Sequence, residues 1–420
     1  MADWHLWLPP ALTKRRFRVY TAGHTVSVTG GWIQQVALAW LVFRLTNSIF
    51  LLGLTGFLLN IFYLLLGPVS GLAADRLPRL PALIAIDVVL AALAVWLALM
   101  GLAGVENVGA YLMVAALIGI ASAFEMPMRQ TLLREIVEDR ALVTSAIGVS
   151  AMVFNVGRMV GPAVAGVLLA FISEAWCFAI NALSFVAIIG ALLAMRLPPA
   201  PVAAAAGATG GAGPEGFWAN LGVLMSFPVV RYLLPTVAAL GLLATPYMPL
   251  MPSIVVRFFD GRSSTVGMLM SAAGLGALGS ATYLSLQPGY GRQIRLVTAA
   301  PLAVGFVLMA FAWSRVLPLS LLLLAALGAT VLVSVNATNA LLQQSVPDQW
   351  RGRAVGLYSM SFAGTAPIGN ILAGSLAEHI GLAATLTLNG ALIVAAGLFA
   401  RRRLHNHPEA LLGLMRSLSR

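Results

Sequence analysis

Twelve apolar runs, each about as long as a helix that crosses a bilayer, constrain this chain more than any other feature. They lie at 19–45, 49–69, 81–105, 108–128, 141–171 and 175–195, then at 230–256, 264–286, 294–313, 316–342, 354–376 and 382–400. Crossing the hydrocarbon layer takes about 20 apolar residues in a helix. Inside that layer each backbone polar group must find a partner within the protein, which a helix supplies along its own length. Spanning β-strands would be shorter and would alternate apolar with polar. With 60% hydrophobic and 9% charged residues, the chain also lacks the surface of a soluble domain, where about 25% of residues are charged. The pattern predicts an all-α integral membrane protein of twelve transmembrane helices.

Charge placement gives the orientation. Basic residues cluster in the short connections, and cytoplasmic loops are the ones enriched in Lys and Arg. With the N-terminus inside, of the 25 Lys and Arg residues only Arg44, Arg257, Arg262 and Arg315 fall outside, while Arg158 lies within a span. Both termini are then cytoplasmic, in the cell inner membrane. The first run follows Lys14, Arg15 and Arg16 and is too long for the apolar part of a cleaved signal peptide, so it reads as the first span. The net charge of +11 forms no basic stripe with interleaved aromatics, which argues against a nucleic-acid partner. Cys177 is the single cysteine, which excludes an intrachain disulfide and a cysteine zinc cluster. No nucleophile triad, metal spacing or P-loop is present. The expectations are therefore no catalytic residues, no metal, no cofactor and no ATP-driven step.

The gap after the sixth run reads PPAPVAAAAGATGGAGPEG over 198–216, a composition expected of a flexible linker. It separates an N-terminal six-helix bundle, 1–197, from a C-terminal one with a cytoplasmic tail, 217–420, and 217–227 reads as a short interfacial helix. The halves echo each other: Thr131–Asp139 (TLLREIVED) is similar to Ala340–Asp348 (ALLQQSVPD), and Gly161-Pro162 has a counterpart in Ala366-Pro367. Two pseudo-symmetric halves predict a substrate site near the membrane midplane between them and transport by alternating access.

Four segments carry a resemblance. Gly71-Leu72-Ala73-Ala74-Asp75-Arg76-Leu77-Pro78-Arg79 is similar to the GxLaDrxGR signature of the major facilitator superfamily, and Gly157–Gly166 (GRMVGPAVAG) is similar to its GxxxGPxxGG antiporter motif. The stretches 27–48 and 346–353 resemble the branch of drug:proton antiporters that holds macrolide-efflux and siderophore exporters. The resemblance implies a cytoplasmic gating motif of Gly71, Asp75, Arg76 and Arg79, with Asp75 latching the outward-facing state. It further implies an antiporter motif of Gly157, Arg158, Gly161, Pro162 and Gly166. Physically, small residues four apart let membrane helices approach closely. A similar face at Ala272, Gly276 and Ser280 predicts that span eight packs on span five across the boundary of the halves. The acid that some relatives carry just before Trp32 is replaced by Gly31.

A charge inside a span costs about 2.5–3.5 kcal/mol even on the lenient scale and therefore marks function or a partner. Arg158, near the middle of span five, and Glu125, in span four, are the candidates for proton coupling and for pairing with each other. Asp87 reads as close to the headgroups, and His24 as a satisfied interfacial residue. Polar residues of spans one and ten, Trp32, Gln35, Asn336 and Asn339, are the candidate substrate contacts, since spans one, four, seven and ten line the cavity in the resembling fold. Tyr247 and Met248, between Pro246 and Pro249, mark a broken stretch of span seven. The expected protein is a monomeric secondary exporter of a drug-like or siderophore-like molecule, with the lipid bilayer, that small molecule and protons as partners. A non-transporting receptor of the same fold and a proton-independent facilitator stay open as alternatives.

Overall fold

A computed structural model of the chain describes residues 9–137, 139–195, 221–285 and 290–406. The linker expected at 198–216 lies outside these residues, as does most of the tail; of the interfacial helix expected at 217–227, 221–227 is described, and 221–226 is helical.

The described residues are helical almost throughout, and each apolar run becomes one helix or a broken pair. The first half gives α1 (Arg15–Thr46), α2 (Ile49–Leu65), α3 (Gly67–Arg76), α4 (Arg79–Leu102), α5 (Val108–Val137), α6 (Val143–Phe171) and α7 (Glu174–Ala194). The second gives α8 (Pro228–Ala239), α9 (Met251–Phe259), α10 (Ser263–Ser285), α11 (Tyr290–Trp313), α12 (Leu317–Gln344), α13 (Asp348–Ala363), α14 (Thr365–Ile380) and α15 (Leu382–Asn406). Among the described residues eight of these helices are long and apolar enough to cross a membrane, and the bent pair α2–α3 makes nine. The other three runs are covered by α8 with α9, by α10, and by α13 with α14.

Each break has a local cause. Helix α1 stops at Asn47, which adopts a left-handed φ of 51° while its N–H still donates to the carbonyl of Phe43, a conformation that asparagine tolerates better than most residues. Helices α2 and α3 meet at 56°; Pro68 stands in the first turn of α3, where its missing N–H costs nothing. In span seven a π-turn, Leu240–Ala244, follows α8, and the chain leaves helix around Pro246 and Pro249 before α9 begins, at the site expected from those prolines. Such a turn misaligns backbone carbonyls, and Asn389 takes up one of them by donating its Nδ2 proton to Leu243 O at 3.2 Å. Helix α6, by contrast, runs unbroken through Pro162.

The chain forms two compact units. The first gathers Met1–Asn47, Leu58–Ala206 and Val255–Ser271; the second gathers Ser48–Phe57, Gly207–Ile254 and Ala272–Arg420. In the first, α1 packs along α7, α6 and α5, and α4 lies against α7 and α5. Gly23 and Gly30 of α1 admit Ala187, Ala191 and Ser184 of α7, so these helices touch backbone to side chain. The faces pointing away from these contacts stay apolar, as at Val88, Val95 and Leu99 of α4, which is what a lipid-facing surface requires.

Candidate functional site

Three helices of the first unit bring their charged residues to one depth. Asp87 stands eight residues into α4, Arg129 eight residues before the end of α5, and His24 nine residues into α1. At 1.5 Å per residue these are each about 12–14 Å from the helix end on the same side of the unit. Arg129 ties them together. Its Nη2 donates to Asp87 Oδ1 at 3.1 Å and to Glu125 Oε1, one turn back on α5, while its Nη1 lies 3.2 Å from His24 Nδ1. The ring of Tyr20 stacks on that of His24 at 5.4 Å between centroids. Asp87 is 0% exposed, while the side chains of Arg129 and Glu125 keep 12% and 22% of their surface. The second oxygen of Asp87, Oδ2, is buried without a hydrogen-bond partner among the described residues.

The donor chemistry fixes one protonation state. A guanidinium only donates hydrogen bonds, so His24 Nδ1 must accept, and the ring is neutral with its proton on Nε2. Arg129 then supplies one positive charge against two carboxylates. The ion pair of Glu125 with Arg129 was not foreseen, because the hydropathy of span four fades at Met128 whereas α5 continues through Val137. Arg129 therefore looks like a loop cation in the sequence, and Asp87 looks like a headgroup-level acid. In the folded chain both are interior.

The motif residues sit on the same unit. Gly71 and Asp75 lie in α3, with Asp75 in its last turn. Arg76 is exposed, and Arg79 pairs with Glu135 of α5. On α6, Gly157, Gly161, Pro162, Ala165 and Gly166 are buried along one face. A methyl group on Gly157 would lie 2.6 Å from Val28 Cγ1, and one on Gly161 would collide with Trp32 Cβ. Further along, Gly166 meets Gly267 of α10, 2.9 Å from an added Cβ to the facing Cα, and Ser271 Oγ donates to Met159 O at 2.8 Å. Spans five and eight thus do pack closely, but through Gly267 and Ser271. Gly276, expected on that contact, faces the backbone of Ala325 on α12 instead, because nine residues along a helix turn a side chain to another side. Arg158 stands between the buried glycines and is itself half-buried.

The uncharged candidates have separate surroundings. Trp32 packs its ring edge against Phe154 at 6.0 Å and so leans on the glycine face of α6. Gln34 is tied to α7, accepting from Asn181 Nδ2 at 2.9 Å, which leaves the half-buried Gln35 as the span-one amide without such a tie among the described residues. On α12, Asn339 Oδ1 accepts from Gln343 Nε2 at 3.1 Å, and Asn336 is exposed. An exposed amide on a spanning helix needs water or protein beside it.

A family model described as transmembrane secretion effector matches residues 7–411. Similar proteins include the multidrug efflux pump Tap of Mycolicibacterium fortuitum, 28% identical over 88% of this chain and 90% of that protein. The staphyloferrin A transporter of Staphylococcus aureus is 23% identical over 86% and 89%, and macrolide efflux protein A of Streptococcus pyogenes 25% over 91% and 94%. Among solved structures, the nucleoside transporter NupG superposes with a TM-score of 0.67 over 93% of this chain and 99% of that one, at 14% identity. A bacterial homolog of the human lysosomal transporter Spinster, inward-facing and occupied, gives 0.68 over 94% and 97%, also at 14%. That level of identity speaks for the fold alone, but the family match spans nearly every helix described above. A multi-pass membrane protein with these motifs in this order, matched from residue 7 to residue 411, belongs to the transmembrane secretion effectors of the major facilitator superfamily.

Proposed function

We propose that the protein exports a small amphipathic or lipophilic molecule, drug-like or siderophore-like, by proton antiport through alternating access. It acts as a monomer in the cell inner membrane with both termini in the cytoplasm, its halves at 1–197 and 217–420 joined by the 198–216 linker. The relatives' names, a multidrug pump, a siderophore transporter and a macrolide efflux protein, support the substrate class. The observation that carries the proton reading is the buried group around Arg129, two carboxylates against one guanidinium. Such an imbalance is costly to hold in a membrane unless a proton comes and goes. Glu125 and Arg158 serve the coupling as charged groups around the proton site, Glu125 through its ion pair with Arg129. Trp32, Gln35, Asn336 and Asn339 serve as substrate contacts. Asp75, Gly71, Arg76 and Arg79 form the cytoplasmic gate, and the Gly157–Gly166 face supplies the close packing that the cycle needs.

The test is transport by purified protein in liposomes under an imposed pH gradient, screened over ethidium, a macrolide and a hydroxycarboxylate siderophore. At least one should move against its gradient while protons move the other way. Binding without flux would make the protein a receptor, and flux indifferent to the pH gradient would make it a facilitator; either result rejects the proposal.

A further inference from the structure

Resting on the antiport reading, we infer that Asp87 is the group that holds the transported proton, on its buried Oδ2, and that Glu125 is the more exposed carboxylate through which Arg129 is kept in place. Charge comes first. With His24 neutral, Arg129 cannot balance Asp87 and Glu125 together, and the group carries one negative charge in excess. A buried uncompensated charge is among the costliest features a fold can hold, and adding one proton removes it.

Burial then distinguishes the two acids. The side chain of Glu125 retains 22% of its surface, so water can share its charge. Asp87 retains none. One of its oxygens receives Arg129, and the other receives nothing among the described residues. A carboxylate oxygen buried without a donor pays its full desolvation cost, whereas protonation leaves a neutral hydroxyl there. Among the described residues, the helices packed on α4, namely α5 and α7, and α1, which reaches Asp87 through Arg129, offer no rival. Helix α1 presents Tyr20 and His24, and α5 presents Glu125 and Arg129, while its Glu135 is paired with Arg79 two turns away at the start of α4. The ionisable residues of α7, Glu174 and Cys177, lie at the opposite end of α4, where Ala175 meets Gly101. Glu174 is also occupied there by Arg44, 2.8 Å away. Tyr63, whose surroundings include Glu125 and Ser122, completes the group from α2.

The internal repeat supplies an independent argument. Extending the match of 131–139 with 340–348 back along the helices sets Glu125 opposite Ser334 and Arg129 opposite Thr338. Both counterparts are buried on α12. The same helix in the second half is therefore built without an ion pair, so helix packing at this level does not require one. In the protonated state Asp87 no longer holds Arg129 by charge, and the guanidinium stays with Glu125. On deprotonation it returns, closing α4 onto α5.

The proton itself is the probe, so this assignment is tested without knowing the substrate. Infrared titration of purified, substrate-free protein in detergent should show a protonated-carboxyl band that disappears as pH rises. The band is expected to be lost in Asp87→Asn and kept in Glu125→Gln. In liposomes, Asp87→Asn should lose ethidium efflux driven by a pH gradient while keeping ethidium exchange without a gradient. Asparagine copies the neutral acid in size and shape, so folding is expected to survive. If the variant is not recovered, Glu125→Gln decides: the titrating band must remain in it. A band that persists in Asp87→Asn, or that vanishes in Glu125→Gln, overturns the assignment. Wild-type protein with a titrating Asp87 but no gradient-driven flux would reject the exporter reading and leave the site intact.

Discussion

Replacing Arg129 by methionine removes the cation that touches both acids of the charged group and keeps most of the side-chain volume. Its guanidinium reaches Asp87 at 3.1 Å and bonds to Glu125, and its side chain is 12% exposed. Deleting one partner of a buried ion pair costs about 3–5 kcal/mol, because the remaining charge keeps its desolvation cost and loses its compensation. Here two carboxylates are left, one of them wholly buried. At roughly 2 °C or more per kcal/mol for a domain the size of one of these units, Arg129→Met should lower the thermal midpoint by on the order of 5–10 °C. Detergent-solubilised protein followed by tryptophan fluorescence and size exclusion would measure it. The cost lies in uncompensated charge rather than lost packing, so the neutral triple variant Asp87→Asn, Glu125→Gln, Arg129→Met should recover most of the loss. Arg129→Met within about 0.5 kcal/mol of wild type, the range of an ordinary surface change, would refute the buried-counterion account. A triple variant no more stable than the single one would refute it equally, because the loss would then be steric.

Two further substitutions probe the motifs. Gly166→Leu puts a branched side chain where even a Cβ lies 2.9 Å from Gly267 Cα; overpacking of this kind costs about 1–3 kcal/mol, and transport should fall with the thermal midpoint, while Gly148→Leu, on an open face of the same helix, should change neither. Asp75→Asn should slow substrate exchange in liposomes more than it weakens binding, and exchange at the wild-type rate would remove Asp75 from the gate.

The fold was legible because a bilayer leaves few solutions. Runs of about 20 apolar residues can only be helices, and the prolines at 246 and 249 correctly marked the break in span seven. The glycine face of α6 was legible for a similar reason, since Gly157, Gly161 and Ala165 recur every four residues. The charged group was not. Hydropathy ends span four where Arg129, Gln130 and Thr131 begin, yet these residues continue α5 for two more turns, because α1 and α4 are there to receive Arg129. Whether Asp87 meets headgroups or protein depends on α5 and α7 closing over it, which no local pattern states. The partner face of α10 was missed on similar grounds. Small residues occur around its whole circumference, and only packing selects Gly267 for α6 and Gly276 for α12.

Helix α1 joins the two features that matter most. His24, Val28 and Trp32 are spaced four apart and form one stripe, since residues at that interval share a helix face. His24 stands at Arg129, Val28 at Gly157 and Trp32 at Gly161. Between these points α1 is continuous helix from Arg15 to Thr46, so a displacement at His24 has no break in which to be absorbed. The contacts at Val28 and Trp32 are tight enough that a methyl group would not fit at either glycine. A change in how Arg129 is held therefore bears on α1, and through the same face of α1 on the glycines of α6. Glycine at 157 and 161 is therefore what lets Val28 and Trp32 of α1 lie directly against the α6 backbone, and a side chain at either position would push α1 off that face.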